Sequence, residues 1–147
     1  VLLPRTLPEA TLQLRSGVPM PLLALATRKG RRPSQASVTE ALRQGIRHLE
    51  VSPGAAEAVG RAIEASEIPR RQLFLSMPWE LPLNSEERLD ALLSTLKTRY
   101  VDLVQLPRGP DVGAEWRLLE KLRAKGKVRA LGVRGFTAEE LEGGILP

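Results

Sequence analysis

The chain has 147 residues, with 22 Lys and Arg against 17 Asp and Glu, a formal net charge of +5, and 42% hydrophobic and 27% charged residues. That is ordinary globular composition, and it excludes a disordered tail, a collagen-like repeat and a coiled-coil rod. No cysteine is present, which rules out a disulfide scaffold, Cys-ligated zinc and thiol catalysis, and aromatics at 3% argue against a base-stacking nucleic-acid surface.

The length suits one domain, and no apolar run approaches the roughly 18 residues that a membrane span requires. Strand-like and helix-like runs alternate from residue 22 onward. Residues 22–27 form a short apolar run. The spacing of Val38, Ala41 and Leu42 then predicts a helix over 37–46, opened by a capping box of Ser37 and Glu40. Residues 48–51 read as a second strand, and a helix from about 55 to 66 places Val59, Ala62 and Ile63 on one face.

A third strand over 73–77 is closed by Pro78. Asn84, with Glu87 three residues on, caps a helix whose stripe is Leu89, Leu92, Leu93 and Leu96. A fourth strand over 100–106 ends at Pro107. Trp116, Leu118, Leu119 and Leu122 ride a fourth helix that Gly126 terminates. A fifth strand covers 128–133, and Thr137 with Glu140 caps a last short helix. Strands alternating with helices of this length mean βα units and a parallel sheet.

The Arg and Lys residues cluster in two places, Arg28, Lys29, Arg31 and Arg32 in one and Arg70 and Arg71 in the other. They read either as a basic contact patch or as solvated loops that serve solubility. A dinucleotide-binding open sheet is disfavoured, because the turn after the first strand is Thr27-Arg28-Lys29-Gly30-Arg31 and lacks the G-x-G-x-x-G fingerprint.

Several segments carry a family resemblance in register. Residues 14–21, Leu-Arg-Ser-Gly-Val-Pro-Met-Pro, look like the opening hairpin of the aldo-keto reductases. Ser37-Val38-Thr39-Glu40-Ala41-Leu42 through Gly45-Ile46-Arg47-His48-Leu49 is similar to their first helix and second strand, and Val59-Gly60-Arg61-Ala62-Ile63 to their second helix. Leu73-Phe74-Leu75-Ser76, Tyr100-Val101-Asp102-Leu103 and Gly126-Lys127-Val128-Arg129-Ala130-Leu131-Gly132-Val133 follow in the family's order. The resemblance implies an α/β fold, a (β/α)8 barrel that reduces carbonyls with NADPH through Tyr, Lys, Asp and His at the C-terminal ends of its strands.

The chain departs from that pattern at the chemistry. The position of the aspartate is held by Glu50, that of the tyrosine by Pro53, that of the lysine by Pro78 and that of the histidine by Pro107. Proline carries no ionisable group and no backbone donor. The Ser-Asn that holds the nicotinamide amide is replaced by Arg134 and Gly135. The single Tyr and single His, Tyr100 and His48, fall at strand starts, away from the chemistry. The expectation is therefore a partial barrel of about five βα units over residues 11–147, preceded by an N-terminal extension over 1–10, with no catalytic residue, cofactor or metal.

An open parallel sheet leaves edges and an apolar surface that something must cover, whether another copy, a different subunit or a rearranged sheet. The expected function is a non-catalytic structural or assembly subunit of a larger protein complex, derived from an aldo-keto reductase. The start at Val1 rather than Met suits an organelle-imported, processed chain. Two alternatives stand beside it: a basic accessory subunit of a ribonucleoprotein, and one half of a split NADPH-dependent reductase or nucleotide sensor.

Overall fold

The computed structural model of the chain describes residues 10–27, 34–79 and 85–144. It opens on a hairpin in which β1 (Thr11–Gln13) runs antiparallel to β2 (Pro19–Pro21), with Leu12 opposite Met20. Gly17 turns the chain between them at φ 81°, in the left-handed region that glycine enters at least cost.

Five strands then form one parallel sheet in chain order: β3 (Ala24–Thr27), β4 (His48–Val51), β5 (Phe74–Pro78), β6 (Val101–Pro107) and β7 (Val128–Arg134). Parallel neighbours need a crossover. It is supplied by α1 (Gln35–Arg43), α2 (Ala56–Ser66), α3 (Glu86–Thr95) and α4 (Val112–Ala124), and α5 (Ala138–Glu142) follows β7. This is the α/β architecture that the alternation of runs predicts. Among the described residues β3 and β7 are outer strands, and the sheet does not close into a barrel.

Register divides the sheet into two faces. Ala26, Glu50, Ser76, Leu103 and Ala130 lie in one row across all five strands. The neighbouring positions Leu49, Val51, Leu75, Met77, Val104 and Leu106 join one core with Val38, Leu42, Val59, Leu93, Leu119 and Leu122 of the helices. Each fully buried leucine there contributes about 1.5–3 kcal/mol. A smaller cluster of Val18, Phe74, Leu103 and Ala130, with Leu14 and Met20 against it, ties the hairpin to the first face. Helix packing is closest at Gly60 of α2, where an added β-carbon would collide with the backbone oxygen of Thr95 in α3.

Several boundaries differ from the sequence-based expectations. The α1 cap is Ser34, not Ser37. The Ser34 hydroxyl accepts from the Ser37 N–H at 3.2 Å, so the helix starts earlier and Ser37 lies in its first turn. Glu40, free of the expected box, accepts instead from the Gln44 amide at 2.7 Å. Gly45, at φ 94°, stops α1 short of Ile46. Pro78 and Pro107 are the last residues of β5 and β6 rather than the residues beyond them, because a terminal strand position can lack an N–H donor. Strand β3 begins at Ala24, and Leu22 and Leu23 are exposed.

The Asn84 cap and the basic cluster of Arg28, Lys29, Arg31 and Arg32 lie outside the described residues, as does most of the N-terminal extension. The hydroxyl that caps α3 is that of Ser85, which accepts from the Arg88 N–H at 3.4 Å. Gly126, at φ 75°, follows the end of α4 as expected, and Thr137 with Glu140 forms the expected capping box on α5.

Candidate functional site

The C-terminal ends of the strands lie side by side, as parallel pairing requires. Thr27 ends β3, and its hydroxyl donates to the Glu50 carbonyl at 2.8 Å and accepts from the Ser52 N–H at 2.9 Å. That pair of bonds locks the first two strand ends together. Pro53 then opens a single 3-10 turn (Pro53–Ala55) that leads straight into α2. Proline suits this position because the first N–H of a helix has no internal partner.

Pro78 pairs in register with Gln105, and the Trp79 N–H donates to the Gln105 carbonyl at 2.8 Å. Pro107 pairs with Arg134, and the Arg108 N–H donates to the Arg134 carbonyl at 3.2 Å. Gly135 follows at φ 79°. The three prolines thus stand at the ends of neighbouring strands or two residues beyond, where the resemblance places proton-transfer groups. The half-buried Glu50 lies below them in the row with Ala26 and Ser76. A carboxylate can accept a proton, but these prolines offer no phenol or ammonium beside it to complete a relay.

The two residues with suitable chemistry lie at the other end of the strands. His48 is buried at the start of β4, with Nδ1 3.0 Å from the Pro21 carbonyl and Nε2 2.8 Å from the Ser76 hydroxyl. An Nδ1–H bond to the carbonyl leaves Nε2 to accept from Ser76, the arrangement of a base-activated hydroxyl. Ser76 is only 3% exposed, however, so no substrate reaches it, and the pair staples the hairpin to the sheet. Burial lowers the His48 pKa from its ordinary 6.5, against the raising effects of the Pro21 bond and of Glu50 and Asp102. The Tyr100 ring lies under the Arg70 guanidinium, 4.1 Å from its centre.

Sequence reasoning missed the densest polar cluster. Asp102, fully buried on β6, accepts from Arg70 Nη2 at 2.6 Å, from the Leu75 N–H at 2.9 Å and from Arg129 Nη1 at 3.0 Å. Arg70 also donates to the Thr98 hydroxyl and to the carbonyls of Leu73 and Tyr100. Its head is therefore committed to the fold, while its neighbour Arg71 is exposed. The signal was a lone carboxylate inside the apolar run Val101-Asp102-Leu103-Val104, since a buried charge demands partners. Among the described residues no group of three or more His, Asp and Glu side chains is placed to hold a metal ion, and no helix is long and apolar enough to cross a membrane.

Comparison with known proteins agrees with this fold. Residues 26–143 match the model of the aldo/keto reductase family. Glyoxal reductase of Bacillus subtilis is 34% identical over 142 residues, covering 90% of this chain and 51% of that protein. An aldo-keto reductase of Mycobacterium leprae is 35% identical over 151 residues, covering 94% of this chain and 52% of its own length. The crystal structure of an aldo/keto reductase from Brucella melitensis superposes with a TM-score of 0.79 at 31% identity, over 91% of this chain and 57% of the other. The chain belongs to the aldo/keto reductase family, and its open sheet is about half of that family's barrel. It spans about half the length of the curated relatives it matches.

Proposed function

We propose that this chain performs no hydride transfer of its own and serves as a structural half-barrel within a larger protein assembly. The observation that carries this reading is the placement of Pro78 and Pro107 as the last residues of β5 and β6, with Pro53 opening the 3-10 turn two residues past the end of β4. A carbonyl reductase of this family needs a proton donor there, and proline cannot be one. Glu50 keeps an acid at one position without a cationic partner at Pro78. Arg134 and Gly135 replace the pair that would hold a nicotinamide amide.

The sheet supports the second half of the proposal. Among the described residues β3 and β7 have no strand beyond them, which leaves backbone donors and acceptors along their outer sides. In the row from Ala26 to Ala130, the hairpin packs through Val18 and Met20 against the cluster that includes Leu103 and Ala130, while Ala26 is exposed and Glu50 half-buried. The covering partner is a protein segment that supplies further strands, either a second polypeptide or another part of the same protein. Expressed without that segment, residues 1–147 are expected to bind the dye ANS and to unfold without a sharp transition. A monomer that unfolds cooperatively and ignores ANS would contradict the covered-face reading. Carbonyl-dependent NADPH oxidation would favour the split-reductase alternative.

A further inference from the structure

A cavity of about 560 Å³ opens at the N-terminal end of the sheet, between the hairpin and the 3-10 turn (Arg70–Gln72) that leads into β5. Thr11 and Pro21 line it from the hairpin, with Arg47, Arg71, Asp102 and Arg129 opposite. Three arginines thus line one concavity with one aspartate.

That carboxylate offsets only part of their charge. Both Asp102 oxygens are already taken, by Arg70 and the Leu75 N–H on one side and by Arg129 on the other. Its single charge is divided between Arg129 and Arg70, and Arg70 is not among the residues that line the cavity. Arg47 directs Nη1 to the neutral carbonyls of Leu42 and Ile46, at 2.8 and 2.9 Å. Arg71 is exposed and makes no hydrogen bond or ion pair among the described residues. Arg129 gives one nitrogen to Asp102, and its side chain remains 45% exposed. The cavity is therefore electropositive, and a concave wall of low dielectric concentrates such a field.

We propose that this cavity binds a small anion carrying two or more phosphate groups. Arg71 and Arg129 supply planar donor forks, the geometry that matches phosphate oxygens in pairs. Arg47 adds charge, and the Gln72 amide adds a neutral donor on the rim. The volume lies within the roughly 300–1,000 Å³ of ordinary small-molecule sites. The site is at the opposite end of the strands from Glu50, Pro78 and Pro107, and it stands whether or not those ends are catalytically silent.

The test is calorimetric titration with inorganic pyrophosphate at low ionic strength, on the chain in the assembly in which it is isolated. Saturable binding of one pyrophosphate per chain is expected. Arg71→Ala weakens it about tenfold or more, the loss of one charge-assisted contact. Arg71→Lys, which keeps the charge and loses the fork, recovers part of that loss. Arg117→Ala, exposed on α4 and outside the cavity, changes affinity by less than about twofold. Circular dichroism confirms that each variant stays folded. Absence of saturable binding to the unaltered chain, or an equal loss in Arg71→Ala and Arg117→Ala, overturns the proposal.

Discussion

Arg70 places Nη2 2.6 Å from Oδ2 of Asp102, a carboxylate whose side chain is only 1% exposed. The bond joins the turn before β5 to the start of β6, and Arg129 of β7 closes on the other oxygen. Three consecutive strands are thereby fastened at one end through a single side chain. Removing one partner of a buried pair leaves the other charge uncompensated, which costs about 3–5 kcal/mol. Asp102→Ala is expected to lose stability of that order in chemical denaturation. Arg129→Ala, whose side chain is 45% exposed, is expected to lose about 1 kcal/mol or less.

Gly60 and Thr95 define the closest approach of α2 to α3. A methyl group at Gly60 meets backbone rather than a flexible side-chain tip, so the helices must separate to admit it. Gly60→Ala is therefore expected to destabilise the fold by about 1–3 kcal/mol, although alanine is the better helix former. Thermal unfolding of the variant beside Gly54→Ala, where an added β-carbon meets nothing within 4 Å, separates this contact from a general glycine effect.

The chain's one histidine makes its pH dependence simple to read. Burial holds the His48 pKa below 6.5, so the unfolded chain binds the proton more readily than the folded one. Stability is then at its full value above 6.5, and it falls as the pH drops from 6.5 toward the lowered folded value. His48→Gln is expected to flatten the stability profile in this window. The imidazole proton resonances should titrate below 6.5 in the folded chain and near 6.5 in urea.

Much of the architecture was legible in the sequence because local patterns agreed with the tertiary fold. The stripe of Leu89, Leu92 and Leu93 marks the buried face of α3, and Thr137 with Glu140 marks the start of α5. The helix cap at Ser34 was missed because two serines three residues apart can each serve as cap, Ser34 for the Ser37 N–H and Ser37 for the Glu40 N–H, and only the backbone decides between them. The Asp102 cluster was invisible for another reason. Its partners Arg70 and Arg129 lie 32 and 27 residues away in sequence, so their meeting depends on strand order and register. The positions of Pro78 and Pro107, by contrast, followed to within one residue from where the apolar runs stop.

The central claim is that Pro53, Pro78 and Pro107 leave the chain without reductase chemistry. The most direct measurement is carbonyl-dependent NADPH oxidation by residues 1–147 joined to the part of the 34% identical glyoxal reductase of Bacillus subtilis that the match leaves uncovered. With a folded chimera, the account predicts no oxidation of NADPH above the rate without enzyme, for glyoxal or any other small aldehyde. Turnover that depends on the carbonyl and disappears in Glu50→Gln would contradict it.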